Sequence, residues 1–204
     1  SSSTALTLHF ARQASKTPQL NAQFATGILI ACGTMFPRIL VYCLVINPDL
    51  LPSLIWPVLV MTALLYGPAL FIWRKNDREL QVSQPTLNQN PLDLTSALVF
   101  GALLTAILLM GEFLGNWLGD AGIYFLAATS GIADVDAITL SLTRMSNNSL
   151  AMGTAVIGIV IAAATNNLVK SALAGFVGNR QIGLLVGGPM VLSLAAGLLV
   201  AWLQ

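Results

Sequence analysis

Residues 130–144 read SGIADVDAITLSLTR, with two aspartates, Asp134 and Asp136, set in an otherwise apolar stretch. Ser130 and Gly131 come after about nine mostly apolar residues, near the middle of a span of roughly 20 residues. A Ser-Gly pair is a place where a membrane helix breaks. The helix is expected to restart at Ala133 or Asp134, with Asp134 as N-cap. A restarted helix offers free N–H groups and the positive end of its dipole, and both stabilise an ionised carboxylate. Asp136, Thr139 and Thr143 then share one stripe at i, i+3 and i+7, while Asp134 and Ser141 lie on another. An acid at bilayer depth is costly and marks a functional site. The plainer alternative is that Asp134 only caps and Asp136 only pairs with a neighbouring helix.

Composition agrees with the membrane reading. Apolar residues make up 56% and charged residues 8%, against roughly 25% charged in a soluble domain. Long apolar runs with short polar breaks specify an all-α polytopic membrane protein. Six spans are expected, at 22–45, 51–73, 95–118, 121–144, 150–177 and 182–203, preceded by an N-terminal half-span over 2–14. Trp56, Trp73, Trp117 and Trp202 fall near predicted span ends, where indole settles. The polar segment 74–94 reads as a linker. If 12–20, 74–94, 144–149 and the C-terminus share a side, that side holds most of the Lys and Arg. The positive-inside rule then makes it cytoplasmic, C-terminus included. The net charge of +1 gives no basis for nucleic-acid binding.

An ungapped offset of 132 residues lays Ala5 over Ala137, Thr7 over Thr139, Arg12 over Arg144, Arg38 over Lys170 and Asn47 over Asn179. It divides the chain into a truncated first repeat (1–73), the linker (74–94) and a second repeat (95–204). The first repeat would begin upstream of residue 1, so the chain reads as a fragment. Four spans per repeat is an even number, which predicts parallel copies. Ser2 and Thr4 take the places of Asp134 and Asp136 and lack their charge.

Further polar residues lie at span depth. Asn166 and Asn167 sit mid-span in ATNNLVKSA; amide and carboxylate oxygens suit hard cations such as Mg²⁺. Asp134 and Asp136 are the candidate metal ligands. Glu112 and Lys170 fall at similar depth and are expected to pair, because an unpaired charge there costs several kcal/mol. Arg38 follows the kinking Pro37 and either pairs or snorkels. Cys32 and Cys43 lie ~16 Å apart along a helix and cannot bridge each other. His9 has no partner for a zinc site. The chain has no phosphate loop, Ser/His/Asp set, HExxH or Gly-x-Gly-Asp element, so no enzymatic activity is expected.

Together SSSTALTLHFAR, FPRILVYCLVINPDL, NPLDL, SGIADVDAITLSL and ATNNLVKSALA resemble an uncharacterised bacterial membrane domain that often follows an MgtC/SapB-type membrane domain. The resemblance implies a helical inner-membrane protein and, through MgtC, a link to metal homeostasis; it supplies no reaction. The expected function is therefore an ion pathway or transporter for a divalent cation. Asp134, Asp136, Thr139, Asn166 and Asn167 would line it, with Glu112, Lys170 and Arg38 as pair or gate. The dipole of the restarted helix opposes a cation, so an anionic or zwitterionic cargo stays open. The alternative function is a regulatory module that binds an MgtC-like domain or another copy of the chain and moves nothing.

Overall fold

The computed structural model describes the backbone of residues 2–75 and 94–203. Among them every regular element is helical: α1 (Ser2–Lys16), α2 (Asn21–Gly33), α3 (Met35–Ile46), α4 (Leu51–Lys75), α5 (Leu94–Leu118), α6 (Asp120–Ala133), α7 (Val135–Met145), α8 (Met152–Leu173) and α9 (Arg180–Trp202). A π turn, Ala174–Gly178, prolongs α8, and short 3₁₀ turns open at Pro18 and Pro48. Proline suits such first-turn positions because its missing N–H would be unpaired there anyway. Four segments are long and apolar enough to cross a bilayer: Pro18–Ile46, Pro48–Lys75, Met152–Gly178 and Arg180–Trp202. The linker expected at 74–94 lies, apart from its ends, outside the described residues.

The interrupted crossing expected over 121–144 is replaced by a hairpin, and α6 continues through Ser130 and Gly131, where the break was expected, to Ala133. In one continuous helix, residues 126 and 145 would stand about 28 Å apart. Instead both meet the same point of α5: a Cβ built on Gly111 would lie 3.0 Å from Met145 Sδ and 3.5 Å from Leu126 Cδ2. Gly158 of α8 likewise faces both Leu142 and Ala127. So α6 enters the bundle, the chain reverses at Asp134, and α7 returns beside it. The reversal needs one residue out of helical geometry, and Asp134 is extended (φ −154°, ψ 119°). The tight link from α5 to α6 is Gly119, at φ 59°, a conformation that costs glycine little.

Contacts along the helices fix their directions. α8 starts beside α6, where Thr154 donates to Asp120 at 2.9 Å. It ends beside α1, where Asn179 Nδ2 donates to the carbonyl of Ala14 at 2.9 Å. α3 runs alongside α7, through Cys43 and Thr143 and on to Asn47, whose Nδ2 donates to Ser146 Oγ at 2.9 Å. α1 therefore runs outward from the middle of the bundle to the end that holds Lys16, Asn21 and Arg180. α7 runs outward from the middle to the opposite end. α2 and α3 cross between the two ends, and α4, α8 and α9 each cross as well.

Two sequence expectations fail here for one reason. The hairpin removes a crossing, so segments matched at the 132-residue offset run in opposite directions rather than parallel. Arg12 and Arg144 consequently stand at opposite ends, and the C-terminus lies at the Arg144 end, away from Lys16 and Lys75. The tryptophans are exposed near helix ends, as indole in an interfacial belt would be. Small residues allow the closest packing: α6 and α8 touch at Gly131 and Ala162, and α8 and α9 at Gly175 and Gly183.

Candidate functional site

Ser3 and Thr4 of α1 and the start of α7 face one small polar cavity in the middle of the bundle. It is walled by Ser3 and Thr4 of α1, Met35 and Arg38 of α3, Ala133 to Asp136 at the hairpin tip, and Asn166 and Lys170 of α8. Its volume is about 10 Å³, room for roughly one water. Met152 lies ~20 Å along α8 from Asn166, so the cavity is far from that end.

Asp134 acts as the expected N-cap, its Oδ1 accepting from the Asp136 N–H at 2.8 Å. Starting the helix there turns Asp136 toward α3, where Arg38 Nη2 donates to Oδ1 at 2.7 Å and also contacts Oδ2. The Asp136 side chain is 14% exposed and that of Arg38 is 50% exposed. Thr139 and Thr143 continue the Asp136 stripe and are buried, with Thr143 against Cys43.

From α8, Asn166 Nδ2 donates to the carbonyl of Gly131 at 2.8 Å, pinning the hairpin tip. Asn166 lines the cavity, and its Oδ1 is buried with no partner among the described residues. Lys170 is 2% exposed, and its Nζ donates to Ser3 Oγ at 2.9 Å. Asn167 is buried with both side-chain polar atoms unpartnered, but does not line the cavity.

The structure thus brings together Asp134, Asp136, Arg38, Asn166 and Lys170, and places Thr139 and Asn167 just outside. It does not bring Glu112 to Lys170. Glu112 is exposed on α5, which packs on α6 and α7, while Lys170 lies across α8 against α1. Glu112 lies about 9 Å from the end of α5, beside the start of α8, whereas Lys170 lies about 27 Å along α8 from that end; the depths differ as well as the faces, and the hairpin stands between them. Ser3 was missed. The signal for it was the 132-residue offset, which puts Ser3 and Thr4 opposite Val135 and Asp136.

The side chains do not fit a bare divalent cation. Among the described residues no three His, Cys, Asp or Glu form a metal-holding group. Asp136 is engaged by Arg38 through both oxygens, and Asp134 spends one on its own helix. Arg38 and Lys170 in the same wall, with the start of α7, repel added positive charge.

Helices of this length and apolarity, surrounding a polar centre, define a multi-pass helical membrane protein. The chain belongs to the family described as Domain of unknown function (DUF4010), whose model matches residues 1–178. It is 33% identical over 182 residues to an uncharacterized protein of Aquifex aeolicus (strain VF5), covering 89% of this chain and 79% of that protein. No solved structure matches.

Proposed function

We propose that the chain is a membrane transporter or ion pathway built from two inverted halves, with the central cavity as its closed site. One observation carries this: α7 begins in the middle of the bundle, α1 and α7 run from there to opposite ends, and a basic residue from the other half reaches the inner part of each. Arg38 reaches Asp136 on α7, and Lys170 reaches Ser3 on α1. The 132-residue offset relates Arg38 to Lys170. It also relates the Asn47–Ser146 contact to the Asn179–Ala14 contact. Midplane sites formed by discontinuous helices from inverted repeats are a transporter plan, and alternating access follows from rocking one half against the other. The Arg38–Asp136 pair closes the site and opens when the halves separate.

Arg12, Lys16, Arg74, Lys75 and Arg180 gather toward one end and Arg144 lies at the other. The positive-inside rule makes the first end cytoplasmic and puts the C-terminus across the membrane from it. The inner membrane and the MgtC connection rest on the family resemblance alone.

The test is solute entry into proteoliposomes, followed by light scattering under gradients of sodium formate, sodium bicarbonate, sodium chloride, sodium glutamate and magnesium chloride. At least one solute enters faster than into protein-free vesicles, and Asp136→Asn slows it. If none does, and a membrane protein co-purifies instead, the chain is a regulatory module.

A further inference from the structure

We infer that the cargo is a small monovalent oxyanion, held between Lys170 and Arg38 at the start of α7. This deepens the transport reading and rests on it. The first N–H groups of a helix lack intrahelical acceptors, and the positive dipole end lies there. Here the start of α7 opens on the cavity that Lys170 and Arg38 also line.

An independent observation points to an anion. Lys170 is almost wholly buried, yet among the described residues its ammonium has a serine hydroxyl for a partner and no carboxylate within ion-pairing distance. A buried ammonium demands a counter-charge. Asp136 gives both oxygens to Arg38 and Asp134 gives one to the backbone of α7, and neither acid pairs directly with Lys170. An anion supplies what Lys170 lacks and competes with Asp136 for Arg38. Asn166 refines the class. Its Oδ1 is a buried acceptor without a donor, and its amide nitrogen is committed to Gly131. An oxyanion that carries its own O–H, such as bicarbonate or dihydrogen phosphate, satisfies Lys170 and Asn166 at once; chloride satisfies Lys170 alone. The cavity holds about one water, so the bound state is wider than this closed one and binding is coupled to opening.

The experiment is thermal stabilisation of the purified chain in detergent by sodium bicarbonate, phosphate, formate, chloride or magnesium chloride, at constant ionic strength and pH. Bicarbonate or phosphate should stabilise most, formate less and chloride least. Lys170→Met should weaken the best response at least ~10-fold, the loss of one charged hydrogen bond. Lys170→Arg keeps the charge and should retain most of the response, which separates lost recognition from misfolding. If no anion stabilises, or if stabilisation survives in Lys170→Met, the inference fails. Mg²⁺ stabilisation that vanishes in Asp136→Asn also overturns it, and with Mg²⁺ flux in the vesicle assay the transport reading survives. With neither binding nor flux, both fail.

Discussion

Gly131→Ala tests the hairpin where it is tightest. A methyl group at residue 131 would lie 2.5 Å from the Ala162 carbonyl oxygen and 2.9 Å from Ala162 Cα. Carbon atoms pack best at about 3.5–4.0 Å, and backbone cannot rotate out of the way. α6 and α8 must therefore part by several tenths of an ångström or more. Such overpacking costs about 1–3 kcal/mol. The movement also strains the 2.8 Å bond from Asn166 to the Gly131 carbonyl, at about 1 kcal/mol if it breaks. Alanine's better helix propensity returns about 0.5–1 kcal/mol. The net loss is about 1–3 kcal/mol, which lowers Tm by roughly 3–10 °C for a chain of this size. The assay is fluorescence-detected thermal unfolding in detergent. Gly153→Ala is the control, since a Cβ there meets nothing within 4 Å, and it should leave Tm equal or slightly raised. A Gly131→Ala protein as stable as this control would refute the α6–α8 contact and the hairpin tip built on it.

In a double-mutant cycle, Arg38→Gln and Asp136→Asn should couple by about 1–2 kcal/mol, above an exposed pair and below a fully buried one; additive losses would mean no pair. Asn47→Ala and Asn179→Ala each remove an N-cap and an inter-helix bond and should cost about 1–2 kcal/mol. Because the two asparagines stand at opposite ends, the double variant should be additive within ~0.5 kcal/mol. Glu112→Gln should change stability by less than about 0.5 kcal/mol, with or without Lys170→Met; a rescue by Lys170→Met would restore the discarded pairing.

The restart at Asp134 was legible because a cap residue, an acid in the first turn and a polar stripe are all local features. The gathering of Asp134, Asp136, Arg38, Asn166 and Lys170 was partly legible, because intramembrane polarity is itself the signal. The direction of α7 was not. Hydropathy counts apolar residues and cannot tell 24 residues that cross from a hairpin that turns back. That single ambiguity changed the parity of the crossings, reversed the relative direction of the segments matched at the 132-residue offset and moved Arg144 to the other end. The partner of Lys170 was illegible for a different reason. Span counting fixed neither the end of the bundle that each residue approaches nor the face of α5 that carries Glu112, and α5 presents that face away from the bundle. The preference against a divalent cation also needed coordinates, since it depends on Arg38 and Lys170 sharing a wall with both acids.

Sidedness tests the inverted arrangement most directly. With Cys32 and Cys43 replaced by serine, Thr17→Cys and Asn148→Cys each place one thiol at an exposed position beyond α1 and α7. In sealed vesicles of known orientation, a membrane-impermeant maleimide should reach residue 17 from one side and residue 148 only from the other. Labelling of both from the same face would mean that α1 and α7 leave the centre in the same direction, and the inverted arrangement would not exist.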